Sequence, residues 1–125
     1  MLKDFTMFLK LAHTNMEVYK YSQSLTLEVY KITKELPESE KFNLISQLRR
    51  AALSVHLNLA EGSSRKSELE KKRYYEIARG SVVEIDAALV IIVGLEFARK
   101  ERLSNLGEFI VTTFRLLSGL IDKKE

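Results

Sequence analysis

The residues best suited to chemistry in this chain are cations. Arg49, Arg50, Lys66, Lys71, Lys72, Arg73 and Arg79 all fall in residues 41–80, which carry nine Lys or Arg against four Glu. The flanks are mildly acidic: residues 1–40 hold five Lys against six acids, and residues 81–125 six bases against seven acids. The overall charge of +3 therefore conceals a basic middle third of +5. Such a region attracts phosphate, although a solvated helix face with alternating charges produces the same count. Tyr74 and Tyr75 follow Lys71, Lys72 and Arg73, and aromatic rings among cations suit single-stranded nucleic acid. Tyr74 falls on an apolar stripe, which leaves Tyr75 as the ring available to a ligand.

Other chemistry is sparse. His13 and His56 are the only imidazoles, and neither has a carboxylate three residues before it, so no Glu-x-x-His metal motif is present. His56 reads as an ordinary surface or interface histidine, and no metal or cofactor is called for. Glu61 and Glu84 could act as a carboxylate pair only if the fold unites them. Neutralising Arg49, Arg50 or Arg79 is the plainer role for both. No Gly-rich phosphate loop, Gly-x-Ser-x-Gly elbow or triad is present, and without Cys there is neither a disulfide nor a thiolate. A reducing, cytoplasmic setting is compatible with that composition.

These residues must be held by helices. With 125 residues, 46% hydrophobic content, one Pro and five Gly, the chain suits a single all-α domain and lacks the turn chemistry of a many-stranded sheet. Leu25, Val29, Ile32 and Leu36 place a first core helix from about Val18 to Leu36, stopped by Pro37. Ser39 is the expected cap of a second helix over 40–61, whose seam is Ile45, Leu48, Ala52, Val55 and Leu59. Gly62 would end it in the left-handed conformation.

Ser67 and Glu70 have capping-box spacing for a third helix of about 30 residues. Its expected seam is Tyr74, Ala78, Ser81, Ile85, Ala88, Ile92 and Leu95. A tight turn makes it antiparallel to the second, with Ala51 and Ala52 level with Ile77 and Ala78 near Gly80, where small residues let backbones approach. After residues 99–103 a fourth helix begins at Ser104, its expected cap, and runs through Leu106, Ile110, Thr113, Leu117 and Leu120. The result is an antiparallel up-and-down four-helix bundle.

Between Val82 and Leu95, eleven of fourteen residues are apolar. Glu84 and Asp86 interrupt the run, which falls short of the roughly 20 residues a membrane span needs. One stripe serves the subunit's own core. Val83, Val90, Ile91 and Val93 are left over as an apolar patch that predicts a homo-oligomer interface. Residues 1–15 form an extension to the bundle domain of residues 16–125. Asp4 and Lys10 make it a poor signal peptide. Phe5, Phe8, Leu9 and Ala12 could dock as one helical face, or Met16 could be the true start, leaving the extension disordered or untranslated.

Leu36-Pro37, Gln47-Leu48-Arg49-Arg50-Ala51-Ala52, Ser54-Val55, Asn58-Leu59-Ala60-Glu61-Gly62, Tyr75, Ala78-Arg79-Gly80-Ser81 and Glu84 together resemble a known family. It comprises the bacterial four-helix bundle proteins encoded within intervening sequences of 23S ribosomal RNA genes, including the Avd-like accessory proteins of diversity-generating retroelements. The likeness spans about residues 17–122. It implies a ring-like homopentamer without known catalysis, associated with RNA or, in the Avd-like branch, with a reverse transcriptase and nucleic acid. Asn58, Glu61, Gly62, Gly80, Ser81 and Glu84 carry the motif.

The expected role is a non-catalytic oligomeric scaffold associated with nucleic acid, RNA in the first place. Its phosphate contacts would come from Arg49, Arg50, Lys66, Lys71, Lys72, Arg73 and Arg79, with Tyr75 beside them. The alternative is an adaptor that binds a reverse transcriptase or ribosomal partner without reading nucleic acid.

Overall fold

The computed structural model describes residues 7–123. Four helices, α1 (Glu17–Thr33), α2 (Leu44–Ser63), α3 (Glu68–Gly94) and α4 (Ser104–Ile121), account for most of the chain. There is no strand among the described residues. Each helix packs on the next and α4 returns to α1, so the four form a closed square with α3–α4 on the side opposite α1–α2.

The apolar spacing explains why they assemble. Leu25, Val29 and Ile32 of α1 meet Leu48, Ala52, Val55 and Leu59 of α2, Ala78, Ile85 and Ile92 of α3, and Leu106 and Leu117 of α4 in one core. Burying a Leu, Ile or Val side chain contributes roughly 1.5–3 kcal/mol, which supplies most of the drive for helices otherwise marginal in water.

The helix ends differ from their sequence reading in instructive places. Leu36 is buried, but α1 stops at Thr33 and the chain bends through Pro37 into a 3-10 turn at Glu38–Glu40. Ser39 therefore caps nothing; Asn43 precedes α2, and the Glu40 carboxylate accepts weakly from Leu44 N at 3.4 Å. Ser104 likewise is the first residue of α4 rather than its cap. Ser67 does cap α3, accepting from Glu70 N at 3.0 Å. Arg102, in the short 3-10 helix Lys100–Leu103, ties the α3–α4 connection to the turn that follows α1: its Nε donates to Glu35 Oε1 at 2.9 Å. That bond holds the exposed Glu35 carboxyl below the usual carboxylate range.

The α2–α3 pair sets the register of the bundle. Ser81 Oγ donates to Ser54 Oγ at 2.8 Å, which brings Ala51 level with the stretch around Glu84 and Ile85 instead of Ile77 and Ala78. Gly62 lies inside α2 with no left-handed φ, so it does not terminate the helix. Its function is proximity: a Cβ there would stand 2.7 Å from Tyr74 Cβ and 3.3 Å from the Lys71 carbonyl oxygen. Gly80 faces open space, and the close approach expected there occurs at Gly62. The seam of α3 is correspondingly rotated. Tyr75, Val82 and Leu89 are buried where Tyr74, Ala88 and Leu95 were expected.

At the amino end, residues 7–11 are not helical, and Phe8 and Leu9 lie exposed instead of docking as a helical face; Phe5 falls outside the described residues. A short 3-10 helix, Ala12–Asn15, then joins α1 and packs against α1 and α2. His13 meets Tyr19 edge-on at 4.8 Å, and Tyr19 stacks on His56 at 4.5 Å. His56 Nδ1 and Ser22 Oγ are 2.7 Å apart, so the half-buried His56 is a strut between α1 and α2. Both imidazoles sit below their ordinary range: His13 through burial, His56 through burial first and then repulsion from His13.

Two measurements check this account. Gly62→Ala should lower stability by about 1–2 kcal/mol, because overpacking of about 1–3 kcal/mol outweighs the gain in helix propensity. Gly80→Ala should instead raise it by roughly 0.5–1 kcal/mol, and denaturant midpoints read both. For the histidines, depressed native pKa values mean that the unfolded chain binds more protons below pH 6.5. Their contribution is complete above that pH and is lost as pH falls through the lowered native values. The midpoint should fall between about pH 7.5 and about pH 5.5, with a shallower fall in His56→Gln.

Candidate nucleic-acid interface

The cations singled out from the sequence separate into two groups according to what their helices bring beside them. Arg49 is half-buried: its Nε donates to Thr33 Oγ1 at 2.8 Å and its guanidinium covers the Tyr30 ring at 4.7 Å. Arg79 is likewise committed across α3–α4, donating to Ser118 Oγ at 3.1 Å and lying 5.7 Å from the centre of the Phe114 ring. Neither is a free phosphate contact. Both hold helices together through a planar cation that stacks and donates at once.

Arg50, Lys66, Lys72 and Arg73 are exposed and make no ion pair among the described residues. Lys71 has only a loose pair with Glu68 at 3.9 Å. Lys66, Lys71, Lys72 and Arg73 cluster where α2 turns into α3, joined by Lys123 from the end of α4. Lys71, Lys72 and Lys123 line a shallow groove of about 410 Å³ with Glu68, Leu69 and Tyr75. Arg50 stands apart, about 20 Å along α2 from the turn at 1.5 Å per residue.

Tyr75 does not serve as an exposed stacking ring. It is buried, and its hydroxyl lies 3.1 Å from Ser63 Oγ, bracing the α2–α3 hairpin. The more accessible ring is Tyr74, and Arg65 occupies it: the guanidinium lies 4.9 Å from the ring centre and donates to Tyr74 Oη at 2.9 Å. Arg65 also donates to Glu61 at 2.6 Å, so Glu61 neutralises a residue the sequence reading passed over. The four-residue spacing of Glu61 and Arg65 was the available signal.

Glu84 accepts from Gln47 Nε2 at 3.5 Å, on α3 well away from Glu61, and the fold does not unite the two as a carboxylate pair. Nor does either pair with Arg49, Arg50 or Arg79. Asn58 donates to the Ser54 carbonyl at 2.9 Å and to Ser54 Oγ at 3.1 Å, feeding the Ser54–Ser81 bond. Asn58, Glu61, Gly62 and Ser81 are thus structural. Among the described residues, no group of three or more His, Asp or Glu is placed to hold a metal ion, and no helix is long and apolar enough to cross a membrane.

The second surface is apolar. Val83 (52%), Val90 (67%), Ile91 (52%) and Val93 (36%) are exposed on the outer side of α3. Val111 and Phe114 of α4 extend the strip, off the seam of their own helix. Between the two helices run adjoining grooves of about 600 and 470 Å³, and Asp86 borders both.

Comparison with known proteins places this geometry. A crystal structure of a protein of unknown function from the S23 ribosomal protein family of Bacteroides thetaiotaomicron VPI-5482 shares the fold, with a TM-score of 0.78 and 20% identity. The match covers 85% of this chain and 99% of that one. No curated protein sequence matches significantly. The family model described as 23S rRNA-intervening sequence protein matches residues 14–119, from the end of the amino-terminal 3-10 helix to the last turns of α4. With that span embracing all four helices, this chain belongs to the 23S rRNA-intervening sequence protein family.

Proposed function

We propose that the chain is a non-catalytic oligomeric scaffold that holds RNA on the hairpin end of each subunit. The observation that carries this reading is the set of uncommitted cations, Lys66, Lys72 and Arg73, gathered at the α2–α3 turn with Lys71 and Lys123 beside them. They suit phosphate, because Lys66, Lys72 and Arg73 are exposed and make no ion pair among the described residues. One subunit offers only a few such contacts. Several copies would multiply them through avidity, and the exposed strip from Val83 to Val93 supports assembly, with five copies by the family resemblance. The family description, which names 23S rRNA, favours RNA over DNA.

The apolar strip also supports a second reading, in which the assembled chain is an adaptor for a reverse transcriptase or ribosomal protein. Capture of such a partner that survives nuclease and high salt would favour it.

Structured RNA titrated at about 50 and 200 mM salt should show affinity falling at least tenfold across that range. Lys72→Glu combined with Arg73→Glu should weaken binding at low salt and flatten the slope. Arg49→Ala should leave the slope intact and cost about 1–2 kcal/mol of stability. Absence of binding at low salt would overturn the RNA reading. Assembly is checked separately: light scattering should find a multi-copy particle that Val90→Glu with Val111→Glu disperses while helical content persists. A single-copy wild-type particle would remove the scaffold.

A further inference from the structure

Among the described residues, no hydrogen bond or ion pair joins residues 7–15 to α1 or α2. The bonds of this segment are local: Thr14 N and Thr14 Oγ1 both donate to the Leu11 carbonyl, at 3.1 and 2.7 Å, and the His13 carbonyl accepts from Met16 N at 3.0 Å. Packing alone seats it. Met7, Phe8, Leu9 and Leu11 are exposed, whereas the side chains of His13 and Thr14 are buried against the bundle. Met16, which follows in an extended conformation, stays with α2 through the Ser63 hydroxyl, which donates to its Sδ at 3.8 Å.

Tyr19 links the two imidazoles, His13 at its edge and His56 on its face, so a charge on either is felt by the other. They differ in what a proton would find. Ser22 Oγ donates to the Tyr19 carbonyl at 3.0 Å and keeps a lone pair for His56 Nδ1, a bond that a charged ring can also donate. The His13 ring makes no hydrogen bond among the described residues. Nor does a carboxylate compensate it. The charged side chains on the elements around the pair are Lys10 in the segment, Glu17 and Lys20 on α1, and Glu61 on α2, all exposed. Glu61 is held by Arg65, and neither glutamate pairs with an imidazole. The two lysines, as cations, add to the repulsion.

We propose that His13, Tyr19 and His56 form a proton-operated clasp: mild acid charges His13, residues 7–15 leave α1 and α2 with Met16 as the hinge, and the four-helix core stays folded. Released, the charged imidazole regains water. Docked, it would be a buried cation with neither acceptor nor counter-charge and with a second imidazolium across the Tyr19 ring. Because the docked His13 binds its proton less readily than the released one, docking is at full strength above about pH 6.5 and is lost as pH falls through the docked value. The core does not follow, since Leu25, Val29, Leu48 and Val55 still join α1 to α2 and the His56–Ser22 bond tolerates the proton.

Backbone order parameters of the full chain, measured by NMR at pH 7.5 and pH 5.5, test the clasp. Those of residues 12–15 should fall from the rigid value of about 0.85 to below about 0.6 on acidification, with the four helices unchanged and full recovery at the higher pH. The His13 ring resonances of the same chain should titrate with a midpoint below about 6.5 that coincides with the loss of order. His13→Phe keeps a ring in the seat without a proton to take up, and should hold residues 12–15 rigid at both pH values. His56→Gln should move release to lower pH, because one of the two repelling charges is gone. Order retained at pH 5.5, release that persists in His13→Phe, a His13 midpoint at or above about 6.5, or helices that lose order together with the segment would each overturn the clasp.

Discussion

The rest of the bundle depends on how closely α2 and α3 approach beside Gly62. Only a missing Cβ lets the Tyr74 side chain and the Lys71 carbonyl come as near to α2 as they do. With that end closed, Ser81 reaches Ser54 about two turns further along, and the Asn58 amide joins the same hydroxyl. Two fixed points on a rigid helix determine its rotation, since each residue advances it by about 100°. Tyr75 is thereby turned inward and Val83 and Val90 outward. The apolar strip on α3 and the buried ring at its start are consequences of one steric allowance.

That rotation also divides the positive charge. Arg49 over Tyr30, Arg65 over Tyr74, Arg79 beside Phe114 and Arg102 on Glu35 each join elements distant from one another or brace a turn. Guanidinium groups suit this work because they stack and donate in a fixed plane with modest dehydration. Lys66 and Lys72, exposed and without an ion pair among the described residues, carry compact ammonium groups that hold their water more strongly. A count of basic residues therefore overstates what a polyanion would meet, and Lys66, Lys72 and Arg73 form one exposed group at the hairpin end.

Along its outer side α3 changes character with position. Lys72 and Arg73 are exposed near its start, and Val83, Val90 and Ile91 near its end. A single helix so presents a cationic surface and an apolar one in sequence, and neighbours that covered the second would leave the first open. The histidine pair on α1–α2 lies away from both, where its neutral rings anchor the chain leading to Met7–Leu11.

Much of the architecture was legible from spacing. Leu48, Ala52, Val55 and Leu59 on α2 and Leu106, Ile110, Thr113 and Leu117 on α4 marked buried faces, because a period of 3.6 residues leaves little choice about which side is apolar. Ser67 with Glu70 marked the start of α3, and the excess of apolar residues after Val82 marked an exposed strip. Only tertiary structure decided that Tyr75 rather than Tyr74 turns inward, that Gly62 serves proximity while Gly80 faces open space, and which arginines are spent on Thr33, Tyr74 and Ser118. The physical reason is that periodicity defines a face within one helix. The rotation and level of that face against a partner depend on contacts between residues far apart in the chain, where a shift of one position changes the side chain that is buried.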